Sequence, residues 1–135
     1  MPTASQNTPV ELPSITAGHP VSIYERLVHM GTGELVLASH VDSITVRSYD
    51  RANPTTPVGS DSPPAASVVY DTLLTKENSG WKRDEIGANF LLPVPGSFFP
   101  NGSVNYQLQV EITLTSQFGG ETHPFIYRVR TIPLL

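Results

Sequence analysis

The clearest pattern of apolar and polar positions lies in residues 103–135. Tyr106, Leu108, Val110, Ile112 and Leu114 alternate with Gln107, Gln109, Glu111, Thr113 and Thr115. A period of two marks a strand with one face in a core and the other in water. Gln117-Phe118-Gly119-Gly120-Glu121 follows, and its glycines supply the positive φ that a turn needs. The chain returns with Phe125, Tyr127 and Val129 on one face and Arg128 and Arg130 on the other. A turn centred on Gly119-Gly120 sets Leu114 opposite Phe125, Ile112 opposite Tyr127 and Val110 opposite Val129. The same register predicts a cross-strand ion pair between Glu111 and Arg128 on the wet face.

Shorter strands are predicted upstream at residues 21–28, 34–39, 41–49, 66–75 and 87–94. In the first, Val21, Ile23 and Glu25 share one face. His40-Val41-Asp42 suggests a bulge or bend. Phe90 and Leu92 point one way and Leu91 the other, and Pro93 predicts a strand end at a sheet edge. Pro95-Gly96 and Asn101-Gly102 read as turns. Residues 50–65 carry four prolines and little to pack, so they read as a long, solvated loop or, less simply, a contact loop on an assembly. Trp81, between Gly80 and Lys82, is expected to pack at the core or its rim.

The first 20 residues differ in character. Four prolines among Ser and Thr oppose a helix and favour an extended arm. Such a segment orders only when held, by its own sheet or by a neighbouring chain. Val10, Leu12 and Ile15 are its candidate anchors and its candidate partner-binding residues. The division is thus an arm over residues 1–20 and a sandwich domain over residues 21–135.

Composition sharpens this picture. With 13 prolines, 10 glycines and no sustained helical periodicity in 135 residues, the chain suits many short strands in one domain. The class is all-β: an immunoglobulin-like antiparallel β-sandwich of seven or eight strands with an extended N-terminal arm. Tyr106, near the start of the long penultimate strand, sits where a tyrosine corner belongs. A jelly roll or a small barrel satisfies the same pattern less fully.

A net charge of −4 with eight basic residues, none clustered, argues against nucleic acid as the main partner. No apolar run reaches the length of a membrane span. Residues 1–20 lack the basic start and apolar stretch of a signal peptide. The absence of cysteine excludes disulfides and thiolate metal sites.

Catalytic chemistry finds no motif. His19, His29, His40 and His123 are isolated in sequence, without the close spacing of metal motifs, so no metal or other cofactor is expected. Asp42, Asp50, Asp61, Asp71, Asp84 and Glu85 offer no singled-out pair for glycoside chemistry. Nucleophile-elbow and phosphate-loop motifs are missing. Asn101-Gly102-Ser103 matches a glycosylation acceptor but reads as a turn. The expectation is a protein that is not an enzyme.

One resemblance adds to this. Val68-Val69-Tyr70-Asp71-Thr72-Leu73-Leu74, Trp81, Asp84, Gly87-Ala88-Asn89-Phe90, Val94-Pro95, Phe99-Pro100-Asn101-Gly102 and Tyr106 form a run of turns and core aromatics. It resembles small immunoglobulin-like sandwich proteins among the structural proteins of tailed bacteriophages. The likeness covers about half the chain and leaves residues 1–65 unmatched. It implies a virion protein assembled in the host cytoplasm, of capsid decoration (cement) type. It also implies a major capsid protein or other virion protein as partner, and a homo-oligomer, with a trimer favoured. Two alternatives stand beside it. One is a neck, tail or baseplate protein. The other is a carbohydrate- or surface-binding module that stacks ligands on Trp81, Tyr24, Phe98 and Phe99.

Overall fold

A computed structural model describes residues 9–74 and 87–133. Trp81 and the charged segment around it lie outside the described residues. The described chain is all-β, with nine strand segments, one short α-helix and a few 3-10 turns.

Two sheets form the sandwich. The long strands β4 (Val41–Asp50), β8 (Asn105–Leu114) and β9 (Thr122–Ile132) pair antiparallel, and β5 (Gly59–Asp61) extends the β4 side. Two short parallel segments, β1 (Val10–Glu11) and β2 (Ile15–Thr16), lie on the outer edge of β9. The second sheet has the order β3 (Val21–Glu25), β7 (Ala88–Val94), β6 (Val69–Leu74). In immunoglobulin lettering, β3, β7 and β6 match strands B, E and D, and β9, β8, β4 and β5 match G, F, C and C′. The immunoglobulin-like expectation is therefore met.

The alternation in β8 becomes burial. Tyr106, Leu108, Val110, Ile112 and Leu114 face the core with Ile44, Val46, Tyr127 and Val129. Ile23, Val69, Phe90, Leu92 and Val94 meet them from the second sheet, and Leu27, Val36, Val68, Phe98 and Phe99 fill the ends. Each such side chain is worth roughly 1.5–3 kcal/mol when fully buried, so this interior drives folding.

The predicted hairpin keeps its faces but not its register. Val110 lies opposite Phe125, Leu108 opposite Tyr127, and Tyr106 opposite Val129. Glu111 meets Pro124, and Arg128 meets Gln107. The connection is a 3-10 turn at Ser116–Phe118, closed by Gly119 and Gly120 at φ 76° and 63°, rather than a two-residue turn. The register moves by an even number of residues, which leaves every side chain on its predicted face.

Four other expectations are corrected. Residues 34–39 form no strand: Val28 bridges Leu35, and a 3-10 turn follows at Ala38–His40. Residues 66–75 open as one helical turn, α1 (Ala65–Val68), after Pro63-Pro64. That turn lets both Val68 and Val69 reach the core, which a strand through both forbids. The loop over residues 50–65 contains β5, which pairs Asp61 with Val46. Finally, Pro93 lies in the central strand of its sheet, opposite Ser22 of β3. It is tolerated because β6 starts opposite Phe90, so Pro93 lies beyond its reach. The expected bulge is present, as a register shift between Val41 and Ser43.

Three buried polar contacts fix the connections. The Asn89 side chain accepts from the Leu27 N–H at 2.6 Å and donates to the Val36 carbonyl at 2.8 Å, clamping the excursion between β3 and β4. The Ser48 hydroxyl donates to the Phe98 carbonyl at 2.6 Å. Tyr106 makes the tyrosine corner: its hydroxyl accepts the Asn101 N–H at 3.0 Å, and its ring meets Phe99 edge-on.

Candidate functional site

The described part of the arm lies along its own sheet. Val10 and Glu11 pair with Tyr127 and Arg128, and Ile15 and Thr16 pair with Thr131 and Ile132. Leu12 donates its N–H to the Arg128 carbonyl at 3.0 Å, and Gly18 donates to the Phe99 carbonyl at 2.8 Å. Pro13 and Ser14 part the two paired segments. Of the candidate anchors, Leu12 and Ile15 pack against the core of this chain. Val10 is 41% exposed on the same edge. The arm is therefore a strand addition built mainly from backbone groups, which sequence composition alone does not locate.

A second constellation escaped the sequence reading. At one end of the sandwich His29 and His40 meet on Phe118, and His29 and His123 share Glu121. The excursion between β3 and β4 supplies His29 and His40. The β8–β9 loop supplies Phe118 and Glu121, and β9 supplies His123. His29 Nε2 lies 2.9 Å from His40 Nδ1, and the Leu37 N–H donates to that same His40 nitrogen at 3.2 Å. Both imidazole rings stack on Phe118, at centroid distances of 4.7 and 4.3 Å. Glu121 Oε1 stands 3.5 Å from His29 Nδ1 and 3.3 Å from His123 Nε2.

Hydrogen-bond logic sets the protons. His40 Nδ1 accepts from Leu37, so it is unprotonated and His29 Nε2 is the donor to it. His29 thus presents opposite ring nitrogens to His40 and to Glu121. The result is a chain of contacts rather than a shell around one point. Among the described residues, no group of three or more His, Cys, Asp or Glu is arranged to hold a metal ion. The only signal in the sequence was histidine flanking two loops, and loops at one end of a sandwich converge only once the topology is known.

At the opposite end, an open depression of about 480 Å³ is lined by Asp50, Arg51, Ala52, Ser103, Val104 and Asn105. Ser103 adopts φ 59°, the one non-glycine residue with positive φ among those described. Most of these residues are exposed, so the depression is a surface feature of the turns after β4 and before β8. No described helix is long and apolar enough to cross a membrane.

The aromatic residues of the carbohydrate reading are not displayed together. Phe98 and Phe99 are buried in the core and Tyr24 is half-buried. Trp81 falls outside the described residues. Compared with protein-family models, curated proteins and solved structures, the chain matches none. Its class therefore rests on its own strand order: an immunoglobulin-like β-sandwich with a strand-forming arm.

Proposed function

We propose that this chain is a non-enzymatic structural protein of a phage virion, of the capsid decoration (cement) type. The observation that supports this reading is the arm. It joins β9 through two short parallel segments, and its attachment needs little beyond backbone hydrogen bonds and the side chains of Leu12 and Ile15. Strand addition of this kind works equally well between chains. In the assembled particle the arms exchange: Val10, Leu12 and Ile15 of one subunit leave their own β9 for the same edge of a neighbour's and link the subunits of a homo-oligomer on the capsid lattice. A neck, tail or baseplate position uses the same arm and is separated by where in the particle the protein is found. The carbohydrate-binding alternative loses support because Phe98 and Phe99 are buried.

The test compares particles carrying the full chain with particles carrying a chain that lacks residues 2–18. The reading expects the truncated chain to leave the particle, or the particle to lose heat resistance. Equal retention and equal heat resistance would remove the arm from the account. Absence of the full chain from purified virions, read by mass spectrometry, would overturn the virion role itself.

A further inference from the structure

We propose that the histidine cluster is an acid-released latch joining the two loops at one end of the sandwich. The latch holds the excursion over residues 26–40 against the β8–β9 loop. Immunoglobulin variable domains carry their binding loops on the corresponding connections. Here their relative position depends on three imidazoles and one carboxylate.

The contacts specify how many protons the latch tolerates. His40 Nδ1 shares its single lone pair between the N–H groups of Leu37 and His29. A first proton fits at His29 Nδ1, which faces Glu121 Oε1 at 3.5 Å and leaves the His29–His40 bond intact. His123 Nε2 competes for the same carboxylate oxygen at 3.3 Å. A further proton on His40 Nδ1 removes both hydrogen bonds accepted there. It also sets two cationic rings against each other across a nitrogen separation of 2.9 Å.

The surroundings offer His40 little compensation. Phe118 covers its ring, and the Asp71 carboxylate of β6 is engaged by the Ala38 N–H at 2.9 Å. Glu121 faces His29 and His123, and Glu34 is exposed while its carbonyl accepts the His29 N–H. Imidazoles change charge between about pH 5 and 8, so mild acid is the trigger. The part that moves is linked directly to the switch, because the Thr115 N–H donates to the His40 carbonyl at 2.9 Å. Thr115 also carries a buried hydroxyl without a hydrogen-bond partner.

The test is a titration of the full chain by NMR, from about pH 7.5 to about pH 5, following the imidazoles and amide hydrogen exchange together. His19 is exposed and stands outside the cluster, so it serves as the reference imidazole in the same sample. The expected result is a change at the His29 and His40 rings that accompanies loss of the contact between them. Exchange at the Leu37 and Thr115 amides should rise on the order of ten-fold beyond the intrinsic pH effect, while core amides hold. His40→Asn keeps a neutral acceptor near the Nδ1 position and should abolish that rise. If exchange at the Leu37 and Thr115 amides does not rise beyond the intrinsic pH effect on acidification, the latch does not exist. The wild-type titration decides this even if His40→Asn fails to fold, and an undiminished rise in a folded His40→Asn protein overturns the role of His40.

Discussion

Arg128 meets Glu11 of the arm, at 3.4 Å between Nη1 and Oε1, and not Glu111 of the neighbouring strand. The pair joins residues 117 apart in sequence across the parallel junction of β1 and β9. Its carboxylate partner is 73% exposed and its guanidinium partner 37% exposed, so water screens most of the attraction. Glu11→Ala is expected to lower stability by less than about 1 kcal/mol. Leu12→Ala together with Ile15→Ala should cost more, about 2–4 kcal/mol, because both residues pack on the core. Urea midpoints of the two variants measure the difference. A larger loss for Glu11→Ala than for the double variant would mean that charge, not packing, holds the arm.

The far end of the arm depends on Gly96. A Cβ at that position would lie 1.9 Å from the Gly18 carbonyl oxygen, closer than any real contact allows. Gly96→Ala should therefore push the arm off this turn at a cost of about 1–3 kcal/mol. The sensitive probe is hydrogen exchange at Gly18, whose N–H now donates to the Phe99 carbonyl. Unchanged protection there would show that the turn, rather than the arm, yields.

Asn89 does the work of a missing strand. Its amide serves the Leu27 N–H and the Leu27 and Val36 carbonyls, all in the interior. Asn89→Leu fills the space but leaves the Leu27 N–H and the Val36 carbonyl without partners, while the Leu27 carbonyl keeps the Val36 N–H. Each such group costs about 1–3 kcal/mol, so a loss of several kcal/mol is expected in chemical denaturation. The excursion over residues 27–36 should loosen before the rest, and exchange at Leu27 and Val36 reports it.

Tyr106→Phe is a milder test of the corner. It keeps the ring against Phe99 and deletes only the acceptor for the Asn101 N–H. A loss of about 1–2 kcal/mol is expected from thermal or denaturant unfolding. No measurable loss would indicate that water replaces the hydroxyl at Asn101.

A further polar tie crosses the sandwich, where the Tyr127 hydroxyl donates to the buried carboxylate of Glu25. Tyr127→Phe removes that donor and leaves the carboxylate in place. A loss of about 1–3 kcal/mol is expected in chemical denaturation. No measurable loss would show that the hydroxyl of Tyr127 adds nothing to this contact.

Local alternation determined which residues face the core. Tyr106 through Leu114 and Phe125 through Val129 point where their pattern says, because side-chain direction along a strand follows from backbone geometry alone. The glycine pair placed the turn, and Tyr106 marked the corner. Pairing partners lie at another level. The register at Val110 and Phe125 depends on the longer turn over residues 115–120, which seats Phe118 on the rings of His29 and His40. Neither ring is near Phe118 in sequence, so no local rule anticipates that turn.

The same limit applies to both candidate sites. Proline spacing announced an extended arm, but only the open edge of β9 decides where it lies and that Leu12 and Ile15 turn inward. Histidines at positions 29, 40 and 123 carry no mutual spacing along the chain. They become one cluster because the packing of the two sheets brings the β3–β4 and β8–β9 connections to the same end. Periodicity is a property of neighbours in sequence, whereas charge pairing and histidine contact depend on distance in space.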